Sequence, residues 1–140
     1  MRSLSRIALV LCAVGSMVAW AAFGPVASDD RNQVFEIPKG TWARRMAGDK
    51  VEILPNEVRL VLGLKDVLVL RNHDDVPQVF GPVLMMPGQS FSLPFEVASS
   101  YQFACTAHAS GQMTVTVVPG PSAGWERLAW RARALVGART

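Results

Sequence analysis

The sequence has few charged residues, few histidines and few cysteines. Its low and balanced charge argues against a nucleic-acid-binding protein. Only 18% of its 140 residues are charged, and the net charge is +3. Residues 29–118 carry eight Lys and Arg against ten Asp and Glu. No basic stripe interleaved with aromatics is present, so no nucleic-acid partner is expected. A chain of this length with 50% apolar residues is expected to form one small folded domain with terminal appendages.

The first 28 residues have the order of a secretory signal. Arg2 and Arg6 precede an uncharged apolar run over residues 7–23, and small residues follow at positions 26–28. We therefore expect a cleaved signal peptide over residues 1–28 and export to the periplasm. The alternative is an uncleaved membrane anchor, but the run has 17 residues. Spanning a bilayer takes about 20.

Residues 29–119 have the pattern of a series of short β-strands separated by Gly, Pro, Asn and Asp. Apolar and polar residues alternate clearly over 58–62 and 113–117, which gives those strands one face for a core. Regular short strands predict an all-β fold, a sandwich or a barrel. A helical turn is also predicted over residues 40–47, capped by Thr41 and ended by Gly48. The predicted strands are 33–38, 50–54, 57–62, 66–71, 78–84, 89–94, 100–105 and 113–118.

Residues 120–140 form a C-terminal basic amphipathic tail. Residues 125–136 predict a short helix that follows the Pro and Gly residues after the last strand. A helix docked on the domain, a frayed helix, contact with an anionic membrane surface and contact with an acidic partner all fit this pattern. The predicted apolar face consists of Trp125, Leu128, Ala132, Leu135 and Val136, and the arginines lie mostly off it.

The residues that can carry chemistry are concentrated in one loop between two predicted strands. Cys105, His108 and Met113 put a thiolate, an imidazole and a thioether within nine residues. Soft sulfur combined with imidazole is a ligand set that copper prefers. Because Cys12 lies in the apolar run and leaves with a cleaved signal, Cys105 has no partner for a disulfide in its own chain. A buried inert thiol, an intermolecular disulfide and a metal ligand are the alternatives, and the neighbouring His108 favours the metal ligand.

The C-x2-H-x4-M spacing resembles the ligand loop of the cupredoxins, the small blue copper proteins, and most closely the plastocyanin and pseudoazurin variants. The resemblance covers residues 66–118, including the segment before Met86-Pro87-Gly88. It implies a Greek-key β-sandwich and an exported one-electron carrier, not an enzyme. One copper ion, a redox partner protein of unknown identity and a monomer are expected. By position, Cys105 matches the cysteine ligand of the family, His108 its second histidine and Met113 its axial methionine.

One position departs from the cupredoxin pattern. Gln78 follows the Val-Pro pair, where the family has its first copper histidine. His73 is the other histidine of the chain and lies five residues earlier, which places it on the opposite face of a continuous strand. Pro77 makes that continuity doubtful, so the loop could turn His73 inward. Gln78, through its amide oxygen, and His73 are therefore both candidate metal ligands.

Three functions follow from these alternatives. If Gln78 or His73 completes the site, the domain transfers single electrons, which is the function we expect. If only the three loop residues bind, the soft set favours Cu(I), and the protein handles copper. If no metal binds, the domain is a binding or structural module. Nucleophilic catalysis by Cys105 with His108 is disfavoured, because nothing in the sequence resembles an orienting partner or an oxyanion hole.

Overall fold

The computed structural model of the protein describes residues 2–26 and 28–137. It divides into two compact units, one over Ser28–Gly120 and the other made from the two ends of the chain. The predicted signal segment and the predicted C-terminal tail fall almost entirely in the second unit. Met1, Ala27 and residues 138–140, which belong to those segments, lie outside the described residues.

The described residues form a mainly β domain between two terminal helices. Six of the eight predicted strands are confirmed, with ends that differ by at most one residue. The predicted C-terminal helix is also confirmed, ending one residue later than expected. The elements, in chain order, are α1 (Arg2–Phe23), β1 (Asn32–Ile37), α2 (Thr41–Met46), β2 (Glu57–Val61), β3 (Val67–Asn72), β4 (Gln78–Phe80), β5 (Val83–Met85), β6 (Ser90–Pro94), β7 (Ser100–Ala104), β8 (Gln112–Val118) and α3 (Trp125–Gly137).

Two strand predictions were wrong. Residues 50–54 form an irregular segment. There the Asp49 side chain accepts a hydrogen bond from the Val51 backbone N–H at 2.9 Å, which replaces a strand partner with a local turn. Residues 78–84 form two strands instead of one, because Gly81 adopts a φ of +53° between them and reverses the chain.

The capping prediction for α2 was also wrong. Gly40 occupies the N-cap position, and a glycine has no side chain that could cap the helix. The acceptor comes instead from Asp74, whose carboxylate binds the backbone N–H groups of Gly40 and Trp42, both at 2.8 Å. Thr41 is the first helical residue, and its hydroxyl donates to the carbonyl of Pro38 at 2.6 Å. A residue 34 positions away thus satisfies the helix terminus.

The domain is a β-sandwich of mixed sheets. One sheet has the order β1-β3-β6 and the other β2-β8-β7. In each sheet one outer strand is parallel to the central strand and the other is antiparallel. Inward side chains of both sheets meet in a single buried cluster, as the alternation predicts. The cluster includes Ile37, Leu68 and Leu70 from the first sheet and Leu60, Val115 and Val117 from the second.

The β4–β5 hairpin connects this core to the loop after β7. Phe80 forms an isolated antiparallel bridge with Cys105, and the Gly81 N–H donates to the carbonyl of Ala104 at 2.8 Å. The Phe80 ring is 1% exposed and lies 4.8 Å from the ring of Phe103, measured between centroids. The hairpin is therefore fixed beside the predicted ligand loop.

The terminal unit pairs α1 with α3. Within α1, Arg6–Phe23 is long and apolar enough to cross a membrane, a criterion that a signal sequence near the N-terminus also meets. The predicted apolar face of α3 is not the face that packs, since Trp125 is 80% exposed. Arg127 and Arg131 are half-buried instead. The reason is that both guanidinium groups bind carbonyl oxygens near the C-terminal end of α1.

Candidate metal centre

The loop from Cys105 to Gln112 is closed by hydrogen bonds within its own backbone. The Cys105 N–H donates to the carbonyl of Gly111 at 2.9 Å, and the His108 N–H donates to the carbonyl of Cys105 at 3.2 Å. Gly111 has a φ of +73°, which a residue with a side chain seldom adopts, and its N–H donates to the carbonyl of His108. The positions of Cys105 and His108 are therefore set by a tight turn.

The two sulfur ligands predicted from the sequence are both buried. Cys105 is 1% exposed and Met113 is fully covered, and both belong to the core cluster. Burial raises the pKa of the Cys105 thiol above its usual value of 9.0, and hydrogen bonds from the backbone N–H groups of Ala107 and His108 counter part of that effect. Met113 lies opposite Phe103 in the ladder between β7 and β8. Phe103 precedes Cys105 by two residues.

His108 is 3% exposed, and its two ring nitrogens have different surroundings. Nε2 lies 3.1 Å from the carbonyl oxygen of Pro55. A carbonyl only accepts, so Nε2 carries the proton and Nδ1 keeps its lone pair in the neutral ring. Nδ1 is buried and has no hydrogen-bond partner among the residues that the structure describes.

Gln78 is also buried beside the loop, but both ends of its amide are hydrogen-bonded. Its Nε2 donates to a carboxylate oxygen of Asp74 at 2.9 Å, and its Oε1 accepts from the hydroxyl of Thr106 at 2.6 Å. The Thr106 hydroxyl in turn accepts from the backbone N–H of Val79 at 2.9 Å. The Gln78 amide thus has a protein partner at both ends, a buried one at Asp74 and a part-buried one at Thr106.

The structure does not bring His73 to the other four candidate residues. Its side chain is 53% exposed, and Nε2 lies 3.9 Å from a carboxylate oxygen of Glu36. The preceding residue, Asn72, points into the core and donates from its amide to the carbonyls of Val76 and Met85, both at 3.0 Å. Because Asn72 occupies the inward direction at the end of β3, His73 faces outward, as its strand position predicts.

The sequence matches no protein-family model and no curated protein. Among solved structures it is similar to a purple cupredoxin from Nitrosopumilus maritimus, with 20% identity and a TM-score of 0.45 over 64% of this chain and 100% of that chain. It is also similar to the oxidised state of one amicyanin mutant, with 21% identity and a TM-score of 0.44 over 67% of this chain and 95% of that chain. The Cu(I) structure of another amicyanin mutant gives 21% identity and a TM-score of 0.44, over 64% and 84% of the two chains. At these values, the function has to be argued from the side chains of this chain.

Sequence reasoning missed the residues that hold the loop from outside. Arg45 of α2 donates from Nη2 to the carbonyl of Ala107 at 2.9 Å and lies 3.5 Å from the carboxylate of Glu52. Pro55 supplies the carbonyl that fixes the His108 ring. These positions are 53 and more residues away in the sequence from the groups they bind, and no pattern in the chain connects them.

The buried network around Gln78 was missed for a different reason. Two adjacent acidic residues beside a turn are typical of a solvated loop, whereas Asp74 is 3% exposed. Its burial raises its pKa, but hydrogen bonds from the N–H groups of Trp42, Asp75 and Gly40 and from the Gln78 amide together hold the pKa below the usual 3.8. The spacing of Asp74 and Gln78 alone gives no sign that both side chains point inward.

Acidic side chains do not form a second candidate site. Among residues 2–26 and 28–137, no group of three or more His, Cys, Asp or Glu side chains is placed to hold a metal ion. The predicted centre contains only two residues of those types, Cys105 and His108, and its third member is the thioether of Met113. Any ion held there must therefore be one that accepts soft ligands, which excludes Mg²⁺ and Ca²⁺.

Proposed function

We propose that the domain binds one copper ion through Cys105, His108 and Met113, favours the reduced, Cu(I) state and carries single electrons as long as it retains the ion when it is oxidised. The observation that carries the proposal is the buried Nδ1 of His108, which has no partner among the described residues. A buried nitrogen lone pair without a hydrogen bond costs about 1–3 kcal/mol. A metal ion bound at Nδ1 removes that cost.

The donor set fits copper better than it fits oxygen-seeking metals. Thiolate and thioether sulfur are soft ligands, and neutral imidazole suits copper, whereas oxygen-seeking ions take carboxylates and carbonyls. The Pro55 carbonyl holds the proton on Nε2, so the ring is already in the tautomer that offers Nδ1. When bound, copper would supply a one-electron couple at this position.

The protein's own contribution to electron transfer is a fixed and dry environment. Cys105, His108 and Met113 are each at most 3% exposed, so water is excluded from all three donor groups. The turn closed by Gly111 and the contacts of Arg45 and Pro55 hold the loop from both sides. Ligands held in the same places in both oxidation states lower the reorganisation that accompanies the transfer.

The state of Gln78 supports the preference for Cu(I). Its amide oxygen already accepts from Thr106, and its amide nitrogen already donates to Asp74. Recruiting the oxygen as a ligand would break a part-buried hydrogen bond in exchange for a hard, weak donor. With two sulfurs and one imidazole, the site has a donor set suited to Cu(I), and Cu(II) lacks the second nitrogen that it prefers.

The same observation favours a second candidate function, the handling of Cu(I) as cargo. A carrier of electrons keeps its copper when oxidised, whereas a protein that handles Cu(I) releases or loses the metal when it is oxidised to Cu(II). The distinction therefore depends on how strongly a site without a second histidine retains Cu(II). This is a measurable property of the protein.

Copper titration of matched cysteine variants tests the proposal. The protein and two variants, Cys105→Ser and Cys12→Ser, are titrated with Cu(I) and Cu(II) and followed by elemental analysis and visible absorption. We expect one equivalent of copper in the protein and in Cys12→Ser, where the altered residue is an exposed position of α1. Cys105→Ser should lose the copper. Equal metal content in the two variants would overturn the proposal, and no copper in any of them would favour a metal-free binding module.

Oxidation of the loaded protein separates the two candidate functions. A chemical oxidant is added to the Cu(I) protein, and the bound copper is measured before and after re-reduction. Retention of copper through the cycle supports electron transfer, whereas its release on oxidation supports the handling of Cu(I). Gln78→His adds an imidazole, and we expect it to strengthen Cu(II) binding and to intensify the sulfur-to-copper absorption.

A further inference from the structure

The C-terminal end of α1 is capped by hydrogen-bond donors from the segment that contains α3. The last four carbonyls of a helix have no partner inside it. In α1 each of them accepts a hydrogen bond from that segment: Arg131 binds the first two at 3.0 and 2.7 Å, the Gly124 N–H binds the third at 2.9 Å, and Arg127 binds the fourth at 3.3 Å. The four carbonyls, in order, are those of Trp20, Ala21, Ala22 and Phe23.

The two arginines make more than these contacts with the end of α1. Arg131 also donates to the carbonyls of Gly24 and Pro25, at 3.3 and 2.9 Å, and its guanidinium lies 4.8 Å from the ring centroid of Trp20. Arg127 donates to the carbonyl of Gly24 at 3.0 Å. Two positive charges at the C-terminal end of a helix are also stabilised by its dipole. The arrangement is a specific fit between α3 and residues 20–25.

Over residues 6–20 of α1, whose side chains the structure describes, every side chain is exposed. The apolar part of α1, Arg6–Phe23, has 18 residues and is therefore about 27 Å long. The hydrocarbon core of a bilayer is about 30 Å thick. A bilayer is one of the surroundings that can cover a helix that is apolar all round. The exposed large side chains of α1 include Ile7, Leu9, Val10, Leu11, Val14, Met17 and Val18, each about half or more accessible.

We propose that α1 is retained in the mature protein as a bilayer-spanning anchor and that α3 closes its outer end while lying in the membrane interface. Arg2 and Arg6 place the N-terminus of α1 on the inner side, so the residues that follow α1 are outside. Trp125 and Leu135 are 80% and 73% exposed, as suits a helix whose apolar side chains enter the lipid headgroup region. Cleavage after residue 26 would remove every carbonyl that Arg131 binds near the end of α1 and would leave Arg127 only the carbonyl of Pro121, at 3.4 Å.

The first test is the mass and location of the full chain in a bacterial host. Membranes are extracted with alkaline carbonate, and the protein is identified by intact mass. We expect it to stay in the membrane fraction with a mass that includes α1. A soluble protein whose mass is that of a chain beginning after residue 26 would overturn the proposal. The result does not depend on copper, so it is independent of the proposed function.

The second test compares arginines of α3 by hydrogen exchange in bilayers of phosphatidylethanolamine and phosphatidylglycerol. The Arg127→Gln, Arg131→Gln double variant is compared with Arg133→Gln, because Arg133 donates from Nε to a carbonyl inside α3. Hydrogen bonds from charged groups are worth about 1.5–3 kcal/mol, so exchange at the amides of α3 should be at least about tenfold faster in the double variant. Arg133→Gln should match the unaltered protein. Equal exchange in all three would overturn the role given to α3.

Discussion

Replacing Asp74 by Asn should destabilise the domain severely, although it changes only one oxygen to an amino group. One carboxylate oxygen of Asp74 accepts from the N–H groups of Gly40 and Asp75, and the other accepts from Trp42 and from the Gln78 amide. Whichever oxygen becomes the NH2 group, two donors are left facing a donor. Each buried unsatisfied donor costs about 1–3 kcal/mol, so the expected loss is about 2–6 kcal/mol. A domain of this size is stable by only about 5–15 kcal/mol.

Asp75→Asn is the matched control for this prediction. Asp75 is the next residue, and its side chain is 65% exposed and pairs with Lys39 at 3.1 Å. An exposed pair of this kind contributes at most about 1 kcal/mol. Urea denaturation of the chain truncated to residues 28–120, which contains Trp42 as its one tryptophan, measures both variants by fluorescence. A loss for Asp74→Asn no larger than that for Asp75→Asn would refute the reasoning about the buried network.

Two further predictions concern stability away from the candidate metal centre. Pairing with Arg31 holds the pKa of Asp66 below its usual 3.8, so the ionised carboxylate stabilises the fold above the pKa of the unfolded chain. That stability is lost as the pH falls through the pKa of Asp66 in the folded protein. Lowering the pH from about 7 to about 3 should therefore reduce the urea midpoint less in Asp66→Asn than in the unaltered protein. An equal reduction in the two proteins contradicts the prediction. Gly81→Ala should cost about 1–3 kcal/mol, since φ is +53° and a new Cβ would lie 3.1 Å from the Phe103 ring. Thermal unfolding checks this, and an unchanged midpoint argues against strain at that turn.

The candidate ligands could be predicted from the sequence because their chemistry is local. Cys105, His108 and Met113 lie within nine residues, and a loop between two neighbouring strands brings such residues to one end of a sandwich whatever the remainder of the chain does. The outward direction of His73 was one of the two alternatives that the sequence left open, the one given by the period of a continuous strand. The failure over residues 50–54 was a failure of the same method, because the apolar pattern there resembles a strand while Asp49 forms a local turn instead.

The sequence by itself determined the all-β character of the domain, the positions of most strands along the chain and the donor types in the candidate ligand loop. These properties depend on periodicity and on neighbouring residues, which a sequence displays directly. Only the tertiary structure decided which nitrogen of His108 is available, because Pro55 lies 53 residues away. It alone also decided that the Gln78 amide is occupied and that Arg127 and Arg131 face α1. Hydrogen-bond partners far apart in the chain depend on how strands and helices pack, and no local pattern records that packing.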